Sequence, residues 1–371
     1  MEKTLSKQGV QMESRFLSYM EKYDYENLFI CQDNATGLKA IIAIHDTTLG
    51  SAVGGCRMWT YNTENEAIED ALRLARGMTY KYAAAGVNLG GGKCVIIGDP
   101  KTQKSEGLFR ALGRFIDRLG GLYMTGEDVG TTLRDMEYIR METEHIVTLP
   151  KELGGAGPIS YATAFGVVQG MRACVKEAMG TESLQGVRVA VQGLGSVGYH
   201  VVEILHEEGA ELLVGDIDQA KVEAVVEKFG ARAVSPETIH AEDVDVYCPC
   251  ALGAVINDNT IEQLKCKVVA GSANNQLKEE RHGDMLHELG IVYGTDYIIN
   301  AGGTVYDTDR LNTGGFNYER AMGKVTRIYE TMTSLINISK EKNIPTYKAA
   351  DLFAEQRIEE VKNAKALRTR I

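Results

Sequence analysis

The segment VRVAVQGLGSVG, residues 187–198, constrains the fold more than any other. An apolar, β-branched run leads into Gly193-x-Gly195-x-x-Gly198, and a helical pattern follows through Val201 and Leu205 to Gly209. A strand that turns on three glycines into a helix is half of a strand–helix–strand unit, which builds a parallel sheet. The next strand, ELLVGDID, carries Asp216 at its end, 23 residues beyond Gly193. DVDVYCPCAL, KVVAGSAN and IVYGTDYIINAGG are expected to form three more strands. This alternation predicts an α/β domain, doubly wound and of Rossmann type.

The same residues suit a dinucleotide. Gly193, Gly195 and Gly198 let backbone approach a pyrophosphate, which sits at the positive end of the helix beginning Ser196-Val197. Asp216 would accept hydrogen bonds from ribose hydroxyls and repel a 2′-phosphate, which predicts NAD over NADP. A glycine turn that binds nothing is the bland alternative.

At 371 residues the chain is long enough for two domains. The glycine- and proline-rich LPKELGGAGP divides it, giving expected units of 1–149 and 150–344, with glycines 154–157 as hinge points. A net charge of −11 argues against nucleic acid or an anionic membrane as the main partner. The first residues, MEKTLSKQGVQMESRF, have no apolar core of signal-peptide type, and no stretch approaches the ~18 apolar residues of a membrane span. The seven cysteines are scattered, and CPC at 248–250 is not a zinc or thioredoxin spacing. They read as reduced, mostly buried thiols of a cytoplasmic protein. The histidines show no metal-ligand pattern, so no metal is expected, and His282 reads as a helix-surface residue. Trp59 is a candidate subunit contact.

In the first unit LKAIIAIHDTT (38–48) reads as a buried strand and NTENEAIEDALRLARGMTYK as a helix with a Thr63–Glu66 capping box. Ala67, Ala71, Leu74, Ala75 and Met78 share one helical face, which Lys81 continues. KCVIIGDP is expected to be a strand that starts at Lys93, and EGLFRALGRFIDRLGG a helix with Leu108, Leu112, Phe115 and Leu119 inward. Lys93 stands behind three glycines. It does not fit a phosphate loop, since Cys94 rather than Ser or Thr follows and a strand comes next. Either it is exposed at a strand start, or it joins Lys81 in holding an anionic substrate.

GMTYK (77–81), GGGKCVIIGDP (90–100), GEDVGTT (126–132), QGLGSVG (192–198), PCALG (249–253), GSANNQL (271–277) and NAGG (300–303) resemble the amino-acid dehydrogenase superfamily, within it the leucine, valine and phenylalanine branch. The resemblance runs from about residue 25 to 365. It implies a cleft between an N-terminal substrate and dimerisation domain and an NAD domain, with a final helix, 345–371, packing back on the first. It implies oxidative deamination of an L-amino acid to a 2-keto acid and ammonia by a homo-oligomer, dimer to octamer. It assigns Lys81 to the substrate carboxylate and Lys93 and Asp128 to catalysis. Gly54 approaches the substrate backbone, while Asn274, Asn300 and Thr163 contact the nicotinamide region. For water activation the Lys93 amine has to be drawn toward neutrality, and burial and Lys81 are expected to do so.

By the same resemblance Val53, Gly126, Thr304 and Asp307 line the side-chain pocket, with Met78 at its edge. Gly126 is similar to the phenylalanine enzymes, where a glycine gives space, while EDVGTT is similar to the leucine enzymes. Asp307 departs from both, because an uncompensated carboxylate in an apolar pocket is costly. Three explanations stand: a loop shifted by an insertion at NTGG (312–315), pairing with Arg310, or a pocket for a polar or cationic side chain such as lysine or ornithine. A branched-chain aliphatic substrate is expected, with an aromatic, polar or basic one as alternative. A non-catalytic NAD-binding homologue is opposed by Lys81, Lys93 and Asp128. A glutamate dehydrogenase is opposed by Asp307, which has the wrong sign for a distal carboxylate.

Overall fold

The computed structural model describes residues 15–368. The opening segment read above for targeting signals lies almost wholly outside them, as do the last three residues. The first part runs α1 (Arg15–Lys22), β1 (Asn27–Asp33), β2 (Leu38–Asp46), β3 (Ala52–Trp59), α2 (Glu64–Ala84), β4 (Gly90–Ile97), α3 (Glu106–Arg118), β5 (Tyr123–Glu127) and α4 (Leu133–Arg140). Its five strands form one mixed sheet in the order β1-β2-β4-β3-β5. The pleat sends Leu38, Ala40, Ile42 and Ile44 to one face, against α3, and Ile41 and Ala43 to the other, against α2. Removing each leucine or isoleucine side chain among them from water stabilises the fold by roughly 1.5–3 kcal/mol.

Helix α2 starts where Thr63 accepts the Glu66 backbone N–H. The expected capping box is only half made, because the Glu66 carboxylate takes the Asn62 N–H instead. Ala67, Ala71 and Ala75 are buried with Leu72 against the sheet. Leu74, Met78 and Lys81 are only half-buried, and they face a cleft. One apparent stripe is therefore two faces: small residues for the sheet, larger ones for the opening.

The remaining chain forms α5 (Ser160–Met179), β6 (Arg188–Gln192), α6 (Ser196–Glu207), β7 (Glu211–Gly215), α7 (Gln219–Phe229), β8 (Arg232–Ala233), β9 (Val246–Pro249), β10 (Val268–Val269), α8 (Glu280–Glu288) and β11 (Val292–Tyr293). Short α9 (Asp296–Ile299) and α10 (Gly302–Thr308) follow, then α11 (Tyr318–Thr326), α12 (Ile328–Lys342) and α13 (Thr346–Arg368). All pairings in this sheet are parallel, in the order β11-β10-β9-β6-β7-β8. The chain starts in the middle at β6, winds one way to β8 and then the other to β11, which is the Rossmann winding. The strand order reverses at β6 and β9, so a crevice opens at their C-terminal ends.

The run from Tyr293 to Gly303, expected as strand, leaves the sheet after Tyr293 and becomes helical, and Asp296 at the start of α9 accepts the Gln276 and Tyr297 N–H groups. His282 is fully buried rather than on a surface. Its ring takes the Glu279 N–H as the third residue of a capping box and faces Asp258 at 3.4 Å. All seven cysteines are free, six of them buried. Helix α13 reaches back to the first part of the chain. Arg357 donates to the carbonyls of Tyr82, Ala83 and Val87, and Lys365 to that of Thr48.

Candidate active site

Between the two sheets lies a cleft of about 430 Å³. Val53, Gly54, Met78, Lys81, Lys93, Gly126 and Asp128 line it from the first sheet side, and Thr163, Val197, Asn274, Asn300, Thr304 and Asp307 from the other. Gly193, Gly195, Ser196, Gly198 and Asp216 do not line this cavity; they lie at the adjoining end of the parallel sheet, with Val197 as the link.

Lys93 is not at a strand start. β4 begins three residues earlier, and Lys93 sits inside it, 5% exposed, opposite Ala43. The glycines belong to the strand because neighbours leave no room for side chains. A Cβ at Gly91 would overlap Thr79 of α2, and one at Gly92 would lie 2.7 Å from the Tyr123 ring. In β3, a Cβ at Gly54 would overlap the Gly92 carbonyl. Tyr123 locks this crossing by donating to the Gly54 carbonyl at 2.6 Å. Lys93 shares the α2 side of the strand with Gly91 and Val95, which turns its amine toward the cleft carrying Lys81.

Asp128 follows β5 in a turn that the GEDVGTT residues build. Thr131 donates to the Cys56 carbonyl and accepts the Asp128 N–H. Gly130, at φ +82°, lies where any Cβ would overlap the Met58 carbonyl. Thr132 then caps α4 in a box with Asp135. The Asp128 carboxylate forms an ion pair with Lys93 and lies 3.3 Å from the Arg57 guanidinium. Arg57 is itself braced by Asp70 at 2.9 Å. Burial alone would raise the Asp128 carboxyl, but Lys93 and Arg57 hold it below the ordinary carboxylate range.

The depressed amine is Lys81. Burial draws it down to about 8, with Lys93 adding to the effect and Asp296 opposing it. The Lys93 amine lies against the Asp128 carboxylate. Arg57, Asp296 and Thr148 escaped the sequence reading. Each acts through a partner distant in sequence, and the one available signal was the arginine closing GGCR two residues after the strand glycines.

Across the cleft, Asn300 donates to Asn274 at 2.7 Å and to the Ser272 carbonyl at 3.2 Å, leaving its own side-chain oxygen buried without a partner. Thr163 stands in the first turn of α5. At the glycine turn, Gly193 takes φ +102° and a Cβ at Gly198 would overlap its carbonyl, so both are required by packing. Gly195 is different: a Cβ there would meet nothing within 4 Å. It caps the twelve-residue α6 without any side-chain hydrogen bond, leaving the helix N–H groups free to meet an anion. Asp216 accepts the N–H groups of Leu194 and Asp218, which ties the turn to the end of β7. Ile217, 92% exposed, and Leu252, 79% exposed, flank this end of the sheet. The open turn and its acidic neighbour fit a dinucleotide.

Asp307 occupies α10 and is 5% exposed. It faces the cleft, so no loop shift removes it. Thr148 donates to one carboxylate oxygen at 2.6 Å, and the other is buried with no partner. Arg310 does not pair with it; that guanidinium donates to the Ile146 carbonyl. Gly126 also reads differently in three dimensions. A Cβ there would stand 2.6 Å from the Thr148 hydroxyl, so the space expected for a larger substrate is taken by Thr148.

A buried lysine–aspartate pair and a second lysine, facing a nucleotide-type turn across a domain cleft, define a two-domain α/β oxidoreductase site. The Glu/Leu/Phe/Val dehydrogenase dimerisation domain matches residues 27–145, and the Glutamate/Leucine/Phenylalanine/Valine dehydrogenase domain matches 154–219 and 213–365. The chain belongs to this family of amino-acid dehydrogenases, oxidoreductases that work with a nicotinamide cofactor. It is 59% identical to leucine dehydrogenase of Geobacillus stearothermophilus over 348 residues, 94% of each chain. It is 48% identical to phenylalanine dehydrogenase of Bacillus thermotolerans over 348 residues, 92% of this chain and 91% of that one. The crystal structure of L-tryptophan dehydrogenase from Nostoc punctiforme superposes with a TM-score of 0.84 at 42% identity, covering 94% of this chain and 99% of that one.

Proposed function

We propose that this chain catalyses the reversible, NAD-dependent oxidative deamination of L-amino acids, branched aliphatic ones such as leucine among them, to their 2-keto acids and ammonium. The observation that carries the reading is the Lys93–Asp128 ion pair inside the cleft, with Lys81 beside it. The kinship with leucine dehydrogenases supports the substrate.

In this reading Gly193, Gly195, Ser196, Val197 and Gly198 would hold NAD and Asp216 its ribose, and the cofactor would supply the hydride acceptor for the substrate α-carbon. Lys81 holds the carboxylate as an ammonium–carboxylate pair. Asp128, acid-range and ionised, takes a proton from the substrate ammonium. Loss of the α-hydrogen as hydride leaves an iminium carbon. Lys93, having first released its ammonium proton to solvent, directs a water to that carbon and receives the water's proton. Collapse expels ammonia, which leaves as ammonium. One amino acid, one water and one NAD give one keto acid, one ammonium, one NADH and one proton. Asn300, with its unpartnered oxygen, is suited to an N–H of the substrate or the nicotinamide amide, next to Asn274 and Thr163.

Homo-oligomerisation, dimer to octamer, and a cytoplasmic location belong to the same proposal. The sheet edge at β1, with Ile30 72% exposed, suits a subunit contact. Among the described residues no helix is long and apolar enough to cross a membrane.

The test is NAD reduction at alkaline pH across leucine, valine, isoleucine, phenylalanine, tryptophan, lysine and glutamate. Leucine turnover is expected, with Lys93→Ala lowering kcat by roughly 10²–10⁴. A Lys93→Ala enzyme within tenfold of the parent refutes the assigned role of the amine.

A further inference from the structure

We infer that the far end of the side-chain pocket is a subsite for an ammonium group, so that this chain oxidises linear diamino acids ahead of their aliphatic isosteres. The inference rests on the dehydrogenase reading and deepens it. Three features of the structure carry it.

Asp307 is buried, lines the cavity, and has one carboxylate oxygen with no hydrogen-bond partner. Buried carboxylates are ordinarily matched, and an unmatched one is strongly destabilising. This chain matches its others: two residues on, Asp309 is 1% exposed and carries Arg320 at 2.6 Å, Lys324 at 2.9 Å and the Asn317 N–H. Among the described residues no cation lies within ion-pair distance of Asp307. A cation brought by the substrate would supply the partner that the protein does not, and Asp307 is among the residues that line the cleft.

The carboxylate is also held in place. Thr148 fixes one oxygen at 2.6 Å, and Gly126 is the residue that makes room for Thr148. Gly126, Thr148 and Asp307 thus form one construction, drawn from β5, the segment after it and α10. Thr148 holds one oxygen, and the other is buried without a protein partner in the wall that Asp307 shares with Val53, Met78 and Tyr82. Apolar walls suit the methylenes of a linear side chain, and the carboxylate suits its charged end. A site built around a polar group rejects the isostere that leaves it unpaired far more strongly than an apolar pocket rejects an extra methylene. The second amino group takes no part in the hydride transfer; in the released keto acids of ornithine and lysine it condenses with the ketone, losing water, to a cyclic imine.

The charged and titratable groups around Asp307 are Glu127, Arg310, Tyr82 and Tyr306. Burial pushes its carboxyl up to about 6, with Thr148 and Arg310 opposing and Glu127 adding. The carboxylate is therefore ionised at the alkaline pH that favours deamination, and the ammonium preference fades as pH falls through about 6.

The experiment compares kcat/KM within pairs that differ only in a terminal ammonium or methyl: 2,4-diaminobutyrate with norvaline, ornithine with norleucine, lysine with 2-aminoheptanoate. The expected result at pH 9 is at least a tenfold advantage for the ammonium in one or more pairs. Asp307→Asn should shrink that advantage, and Asp307→Val should reverse it. An advantage for the methyl member in every pair overturns the inference while leucine turnover leaves the dehydrogenase reading standing. A ratio unchanged in either folded variant also overturns it. If both variants fail to fold, the parent enzyme decides: a ratio that does not fall between pH 9 and pH 5.5 overturns it. No oxidation of any amino acid removes the dehydrogenase reading and this one together.

Discussion

At Gly54, Gly91 and Gly92 an added Cβ would run into protein atoms, whereas at Gly195 it would meet nothing within 4 Å. Gly54 lines the cleft and Gly195 lies at the adjoining end of the parallel sheet, and both sets look alike in sequence, as glycines at the junction of a strand with something else. In the first sheet they let β3 and β4 pass each other and let α2 and Tyr123 close in, so that Lys93 is delivered from a rigid strand. In the parallel sheet Gly193 and Gly198 likewise serve packing, and only Gly195 keeps a space that the protein itself does not fill. The lesson is that a glycine motif marks a close approach without saying what approaches. The surrounding atoms say it.

Alanine substitution separates the two kinds. Gly54→Ala forces a Cβ into the Gly92 carbonyl, a backbone atom that cannot swing away. Overpacking of this sort costs about 3 kcal/mol, which for a domain of this size lowers Tm by roughly 10 °C. A thermal melt monitored by circular dichroism checks it; a fall of less than about 2 °C means β3 can shift and the packing account is wrong.

Gly195→Ala is expected to leave the melt of the ligand-free protein where it is, since nothing stands in the way of the new methyl. It should instead weaken NAD by about tenfold, or 1.4 kcal/mol, by occupying the space above the α6 N-terminus. Calorimetric titration of NAD reads this directly. Unchanged affinity places the pyrophosphate elsewhere, and a large loss of stability makes Gly195 another packing glycine.

The same distinction explains what could be read from the sequence. The parallel sheet was legible because its strands are continuous apolar runs bounded by glycine turns. The first sheet was less so: AVGGCRMW carries two glycines and an arginine, and GGGK hides the first three residues of a strand whose side chains are excluded by neighbours. Helix α5 was not read, for its buried face is small residues, Ala164, Gly166 and Gly170, without a contrast in hydropathy. The positions of Lys81, Lys93 and Asp128 followed from motifs. What each does to the others did not, because Arg57 reaches Asp128 across 71 residues and Thr148 reaches Asp307 across 159. Partnerships of that span are set by the sheet order and domain packing, which no local pattern encodes.

The two lysines sharpen the comparison at the level of charge. Lys93 has a carboxylate against its amine, whereas Lys81 has none within ion-pair distance among the described residues and is drawn down by burial to about 8. A lowered amine pKa means that the free protein gives up the Lys81 proton as pH rises through about 8. A carboxylate ligand needs that proton, since it binds the ammonium and not the amine. Its affinity should accordingly be flat below pH 8 and decline above it, by at most tenfold per pH unit, with binding taking up a proton in that range. Asp307 and Asp128 have already ionised by then, so they do not contribute to the slope. The probe is 4-methylpentanoate, which keeps the leucine carboxylate and side chain but has no amino group to react or titrate. Titrations between pH 7 and 10 in buffers of different ionisation enthalpy count the protons directly. An affinity flat across the range, or a decline that persists in Lys81→Met, assigns the titration to another group and leaves Lys81 as an ordinary, fully charged carboxylate ligand.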